Sequence, residues 1–89
     1  MDNDRYNLLD NQLDALDRLF DGESEVIDLY AVTFATGLAL SGDSLFAYFR
    51  AAAKELDAIV RMGLSKLDAR EKALDVTNAL RVAVAEAAA

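Results

Sequence analysis

The chain has no cysteine, no histidine and no proline among its 89 residues. Without cysteine there is neither a disulfide nor a thiolate metal site to reinforce a small core. Without histidine, the commonest general base and the commonest metal ligand are both missing. Long hydrophobic runs are missing too. The longest stretch free of charge is Leu29 to Gly42, 14 residues that include two threonines and two glycines, whereas a bilayer span needs about 20 apolar residues. The N-terminus is acidic where a secretion signal requires basic residues followed by an apolar run, so a cytoplasmic location and no membrane partner are expected.

What remains is helix-forming. Ala, Leu, Asp, Glu, Lys and Arg dominate, and apart from Asp these lose little on entering a helix. A chain of this length forms one domain, residues 1–89, which buries roughly 60–65% of the surface its unfolded form exposes. Tyr6, Leu9, Leu13, Leu16 and Phe20 recur at spacings of 3, 4, 3 and 4 and predict a first helix ending at Gly22, with Asp4 at its start. A second helix is expected from Ser24 to about Ser41, and Ser41–Ser44 is a turn whose Asp43 or Ser44 caps a third. The third has an inner face of Leu45, Phe46, Phe49, Ala52, Ala53, Leu56, Ile59 and Val60. Asp68 and Glu71 resemble a capping box and open a fourth helix through Ala73, Val76, Leu80 and Val84. Short connections imply an all-α, up-down antiparallel four-helix bundle, with three helices and a long bent last one as the alternative. Leu13, Phe20, Phe34, Phe49, Leu56 and Leu80 are the expected deep core.

Charge is unevenly placed. The first 28 residues hold nine acids against two bases, whereas the other 61 hold seven of each, so the whole net charge of −7 sits at one end. Such a field steers a positively charged surface to one place. Asp10, Asp14, Asp17 and Asp21 fall in one line along the first helix, and like charges at these spacings repel. Two structural explanations compete with docking: a solvated face that maintains solubility, and internal pairing with Arg50, Lys54 and Arg61 of helix three.

Helix two is apolar over a wide arc. Val26, Ile27, Leu29, Tyr30, Val32, Phe34, Leu38 and Leu40 cover about 240° of its wheel, more than a surface helix needs. Central burial or cover by another protein would account for it, and a homodimer through this helix or the exposed side of helix one is the expected form of such cover.

An enzyme is not expected. Ser24, Ser44 and Ser65 have no histidine to act as base, and a carboxylate pair would need a substrate pocket that so small a bundle has little room for. The Glu-x-x-His pattern of bundle di-metal sites is missing, and Asp21–Glu25 lacks the order of a calcium loop, so no metal or cofactor is expected. Nucleic acid is excluded as a partner because the stripe is acidic rather than basic.

The segment Leu16–Tyr30, LDRLFDGESEVIDLY, resembles the start of small, acidic, helical bacterial immunity proteins, the inhibitors encoded beside colicin-type and contact-dependent toxins. These share a first helix ending in a Leu/Phe-x-Gly-Glu turn and a second that opens with an aliphatic residue and an aromatic. The resemblance implies a cytoplasmic protein whose acidic surface plugs the basic active-site cleft of a toxin, often a nuclease. The expected contact surface is Asp10, Asp14, Asp17, Asp21, Glu23, Glu25 and Asp28, with Tyr30 as an aromatic anchor. The competing expectation is a structural or regulatory protein that homodimerises through its apolar helix, the acids serving solubility.

Overall fold

The computed structural model describes residues 3–89, so Asp2, one of the nine acids, lies outside the described residues. It has five α-helices and no strand among those residues: α1 (Asn3–Phe20), α2 (Val26–Ala39), α3 (Phe46–Arg61), α4 (Lys66–Val76) and α5 (Asn78–Ala88). The chain is all-helical as expected, but with five helices where four, or three with a bent last one, were predicted.

The extra helix comes from a break at Thr77. Its buried hydroxyl donates to the Ala73 carbonyl at 2.7 Å. This back-bonding competes with the backbone ladder and bends helices. Val76 and Thr77 are also β-branched, and Asn78 is a poor helix former. The last leg therefore divides into α4 and α5.

Local chemistry sets the other boundaries. α1 ends with the Glu23 N–H on the Arg18 carbonyl at 2.8 Å and the Gly22 N–H on the Leu19 carbonyl at 3.1 Å. That pattern requires a left-handed residue, and Gly22 supplies it at φ 78°. Glu25, not Ser24, occupies the N-cap of α2, where its N–H donates to the Asp28 carboxylate at 2.9 Å. α3 ends at a full turn containing Gly63 at φ 67°, and Ser65, rather than Asp68, caps α4 by accepting the Asp68 N–H at 3.2 Å. Asp43 works from three residues before α3, accepting the Leu45 N–H at 3.0 Å.

Two long-range contacts set the course of the legs. Arg5 near the start of α1 grips Asp43 in the α2–α3 turn with both Nε (2.6 Å) and Nη2 (3.2 Å). At the opposite end, Lys66 after the α3–α4 turn lies 3.8 Å from Glu25 after the α1–α2 turn. Consecutive legs thus run antiparallel. Arg5 also holds the Asp43 carboxyl at about 2, below its ordinary 3.8, chiefly through its hydrogen bond and then with the help of the Leu45 N–H.

The core is two apolar clusters stacked along the bundle. One joins Leu9, Leu40, Leu45, Phe49, Ala52, Leu80 and Val84, and the other joins Leu16, Leu19, Val26, Leu29, Leu56, Ile59 and Ala73. Leu13 touches both. At this middle level Gln12 and Thr33 are both fully buried, and the Gln12 Nε2 donates to the Thr33 hydroxyl at 2.8 Å. Close packing of α2 on α3 depends on Gly37, where an added Cβ would lie 3.0 Å from that of Phe49.

This arrangement corrects the expected registers. Leu56, Phe49 and Leu80 are buried as predicted, but Leu13 is only half-buried, and Phe20 and Phe34 are 67% and 49% exposed. The buried stripe of α1 is Leu9, Gln12, Leu16 and Leu19. It is turned roughly 80° from the Tyr6–Leu13–Phe20 line at about 100° per residue. Central burial of helix two is also corrected. Its buried positions are Val26, Leu29, Thr33, Thr36, Gly37 and Leu40, whereas Ile27, Phe34 and Leu38 are open to solvent.

Candidate acidic docking surface

Rotation of α1 decides where its carboxylates point. With Gln12 and Leu19 inside, Asp10, Asp14, Asp17 and Asp21 lie roughly 150° from the centre of the buried stripe, at about 100° per residue. All four are exposed. Their line runs about 16 Å along the axis at 1.5 Å per residue, with neighbouring Cβ atoms about 5–6 Å apart.

Internal pairing is slight, and it does not use the expected bases. Arg81 of α5 reaches Asp17 at 3.3 Å, and Lys66 lies 3.8 Å from Glu25. In both pairs the carboxylate is 62% exposed, so each contributes little to stability. Arg61 pairs with Asp57 on its own helix at 3.1 Å, while Arg50 and Lys54 line a groove between α2 and α3. Asp10, Asp14, Asp21 and Glu23 make no ion pair among the described residues.

Beyond Asp21 the surface continues into a cleft of about 650 Å³ between the α1–α2 and α3–α4 turns. Leu19, Val26, Ile59 and Ala69 form its floor, and the exposed side chains of Ile27, Val60, Leu64 and Leu67 stand around it. Glu23, Glu25 and Asp28 line one side, with Lys66 and Arg70 on the other. The Arg70 guanidinium lies against the α1–α2 turn, 2.7 Å from where a Cβ on Gly22 would be. An apolar floor inside a charged rim is the anatomy of a protein contact. Asp28 is partly engaged, since its carboxylate caps α2.

Of the predicted contact residues, Asp10, Asp14, Asp17 and Asp21 share one exposed line at α1, and Glu23, Glu25 and Asp28 line the cleft. Tyr30 is not part of it. It is half-buried, stacks on Phe34 with ring centroids 5.9 Å apart, and lines the α2–α3 groove instead. Sequence reasoning missed the cleft's apolar lining and the roles of Arg81, Lys66 and Arg70. Arg81 lies 64 residues from Asp17, a distance over which no local pattern signals a partner. No group of three or more potential metal-ligating side chains gathers among the described residues, and no helix among them is long and apolar enough to cross a membrane. No protein-family model matches the chain, and neither a curated protein nor a solved structure matches it.

Proposed function

We propose that this chain is a non-enzymatic protein-binding module whose acidic α1 face and adjoining cleft dock a basic protein partner in the cytoplasm. The observation that carries the reading is the orientation of α1. Four carboxylates in line face solvent on the side away from the core, next to a cleft with an apolar floor. The acids raise the encounter rate with a basic surface, and the cleft receives an apolar side chain that slows dissociation. The resemblance of Leu16–Tyr30 to immunity proteins makes a nuclease toxin the partner class, because a nuclease cleft must be basic to hold phosphates. In that role the acidic face covers the cleft and denies it to nucleic acid.

The test is capture of the protein encoded beside this chain, made catalytically inert, with association rates measured at low and raised salt. Replacing Asp10, Asp14 and Asp21 by Asn should slow association and flatten its salt dependence without unfolding the protein. Absence of binding to the neighbouring product would remove the immunity reading. Binding that ignores both salt and the Asn replacements would remove the acidic face as the docking surface. The second reading, a homodimeric structural or regulatory protein, is favoured by the exposed apolar side of α2.

A further inference from the structure

α2 is built with its bulk on the wrong side for a monomer. Three of its buried positions are Thr33, Thr36 and Gly37, while Ile27, Phe34 and Leu38 are 49%, 49% and 59% exposed. With the exposed Ala31 they fall at spacings of 4, 3 and 4, the seam period of paired helices. No charged residue interrupts α2 after Asp28, so nothing on that seam opposes association. The seam opens on one side into a groove of about 490 Å³ between α2 and α3, edged by Phe46 and floored by Phe49, with Arg50, Lys54 and Asp57 along its α3 side. An apolar surface of this continuity marks a protein contact.

The order of residues along the seam identifies its occupant. A twofold axis passing beside α2, perpendicular to it at the level midway between Val32 and Thr33, sets a second copy antiparallel to the first. It sets Ile27 opposite Leu38 of the second copy and Ala31 opposite Phe34 of the second copy. Large meets small at the centre, and two aliphatic residues of similar size meet at each end. Parallel pairing would instead set Phe34 on Phe34 and Ala31 on Ala31, bulk against bulk and gap against gap. A twofold contact must be complementary to itself. We infer that the 27–31–34–38 seam of α2 is an antiparallel homodimer interface whose occupant is α2 of a second copy of this chain.

This inference does not rest on docking by the acidic face, and salt separates the two. Each copy carries a net charge of −7, so two copies repel, and added salt strengthens the dimer while it weakens contact with a basic partner.

The chain has no native cysteine, so Ile27→Cys and Leu38→Cys each introduce a single thiol. An oxidised equimolar mixture should yield at least about tenfold more covalent dimer than either variant alone. In the antiparallel register two copies of Cys at position 27 lie about 16 Å apart along the axis, far beyond the ~7 Å Cα limit of a disulfide. Sedimentation of the unmodified protein at high micromolar concentration and raised salt should show a dimer. Phe34→Glu should be monomeric with an unchanged circular dichroism spectrum. A monomeric unmodified protein under those conditions, efficient self-crosslinking of Ile27→Cys alone, or a dimer that survives a folded Phe34→Glu would each overturn the inference.

Discussion

The polar pair at the middle of the bundle should be the most informative place to perturb the fold. Gln12 and Thr33 are both fully buried, joined by one hydrogen bond of 2.8 Å, and the Gln12 Oε1 has no partner among the described residues. Thr33→Val removes the one hydrogen-bond partner of the amide among the described residues and leaves both its ends unsatisfied. That should cost about 1–3 kcal/mol, the desolvation penalty of a buried group left without its bond. Gln12→Leu removes the orphaned oxygen and fills a similar volume between Leu9 and Leu16, while the Thr33 hydroxyl can turn back to a carbonyl of its own helix. Its cost should stay under about 1 kcal/mol. The double variant has apolar groups on both sides and should be neutral or more stable, because replacing both partners of a buried bond avoids the penalty. Urea denaturation of the four proteins, followed by circular dichroism, gives the cycle directly. The expected coupling is about 1–2 kcal/mol in favour of the double variant, and in a domain of this size each kilocalorie moves Tm by about 4–8 °C. Additive costs, or a Gln12→Leu loss above about 2 kcal/mol, would refute the register of α1 against α2.

Three further outcomes follow from contacts elsewhere. Asp43 has its carboxyl held at about 2 rather than 3.8, so the stability it lends is complete above its ordinary value and lost as pH falls toward 2. Asp43→Asn should therefore show an acid-induced loss smaller by on the order of 1 kcal/mol, after allowance for the partial exposure of Arg5, as read from denaturation midpoints at pH 5 and pH 2. Leu56 is fully buried, so Leu56→Ala should cost about 2–5 kcal/mol by chemical denaturation, and an unmoved midpoint would contradict the α3 register. Gly22→Ala places a Cβ at φ 78° and displaces Arg70. It should cost about 1–2 kcal/mol by the same assay.

The helical class, most turns and the inner face of α3 are legible in the sequence because period and capping residues agree there, except that Val60, expected on that face, is exposed at the edge of the cleft. α1 misleads because its two alternative stripes share Leu9 and Leu16. Counting apolar residues favours the one with Tyr6, Leu13 and Phe20, whereas burial of Gln12 with Thr33 selects the one with Leu19. A polar residue that finds its partner across two helices looks like a surface residue in any local reading. α2 misleads for the related reason that Phe34 and Leu38 outrank Thr33 and Gly37 in hydrophobicity, yet Gly37 is what lets α2 approach Phe49. The break at Thr77 is invisible because threonine weakens a helix in many places without ending it. For the candidate site, the line of aspartates was readable from spacing alone. Its freedom from Arg50 and Lys54, and the cleft at its end, depend on which legs become neighbours.

The orientation of the acidic face is tested most directly by the association rate of this chain with the inert product of the neighbouring reading frame, measured across a salt series. The unmodified chain should associate rapidly at low salt and lose that advantage as salt rises. The Asp10, Asp14 and Asp21→Asn chain should start slow and change little. Equal rates and equal salt slopes for the two chains, with both folded, would contradict an acidic docking surface on α1.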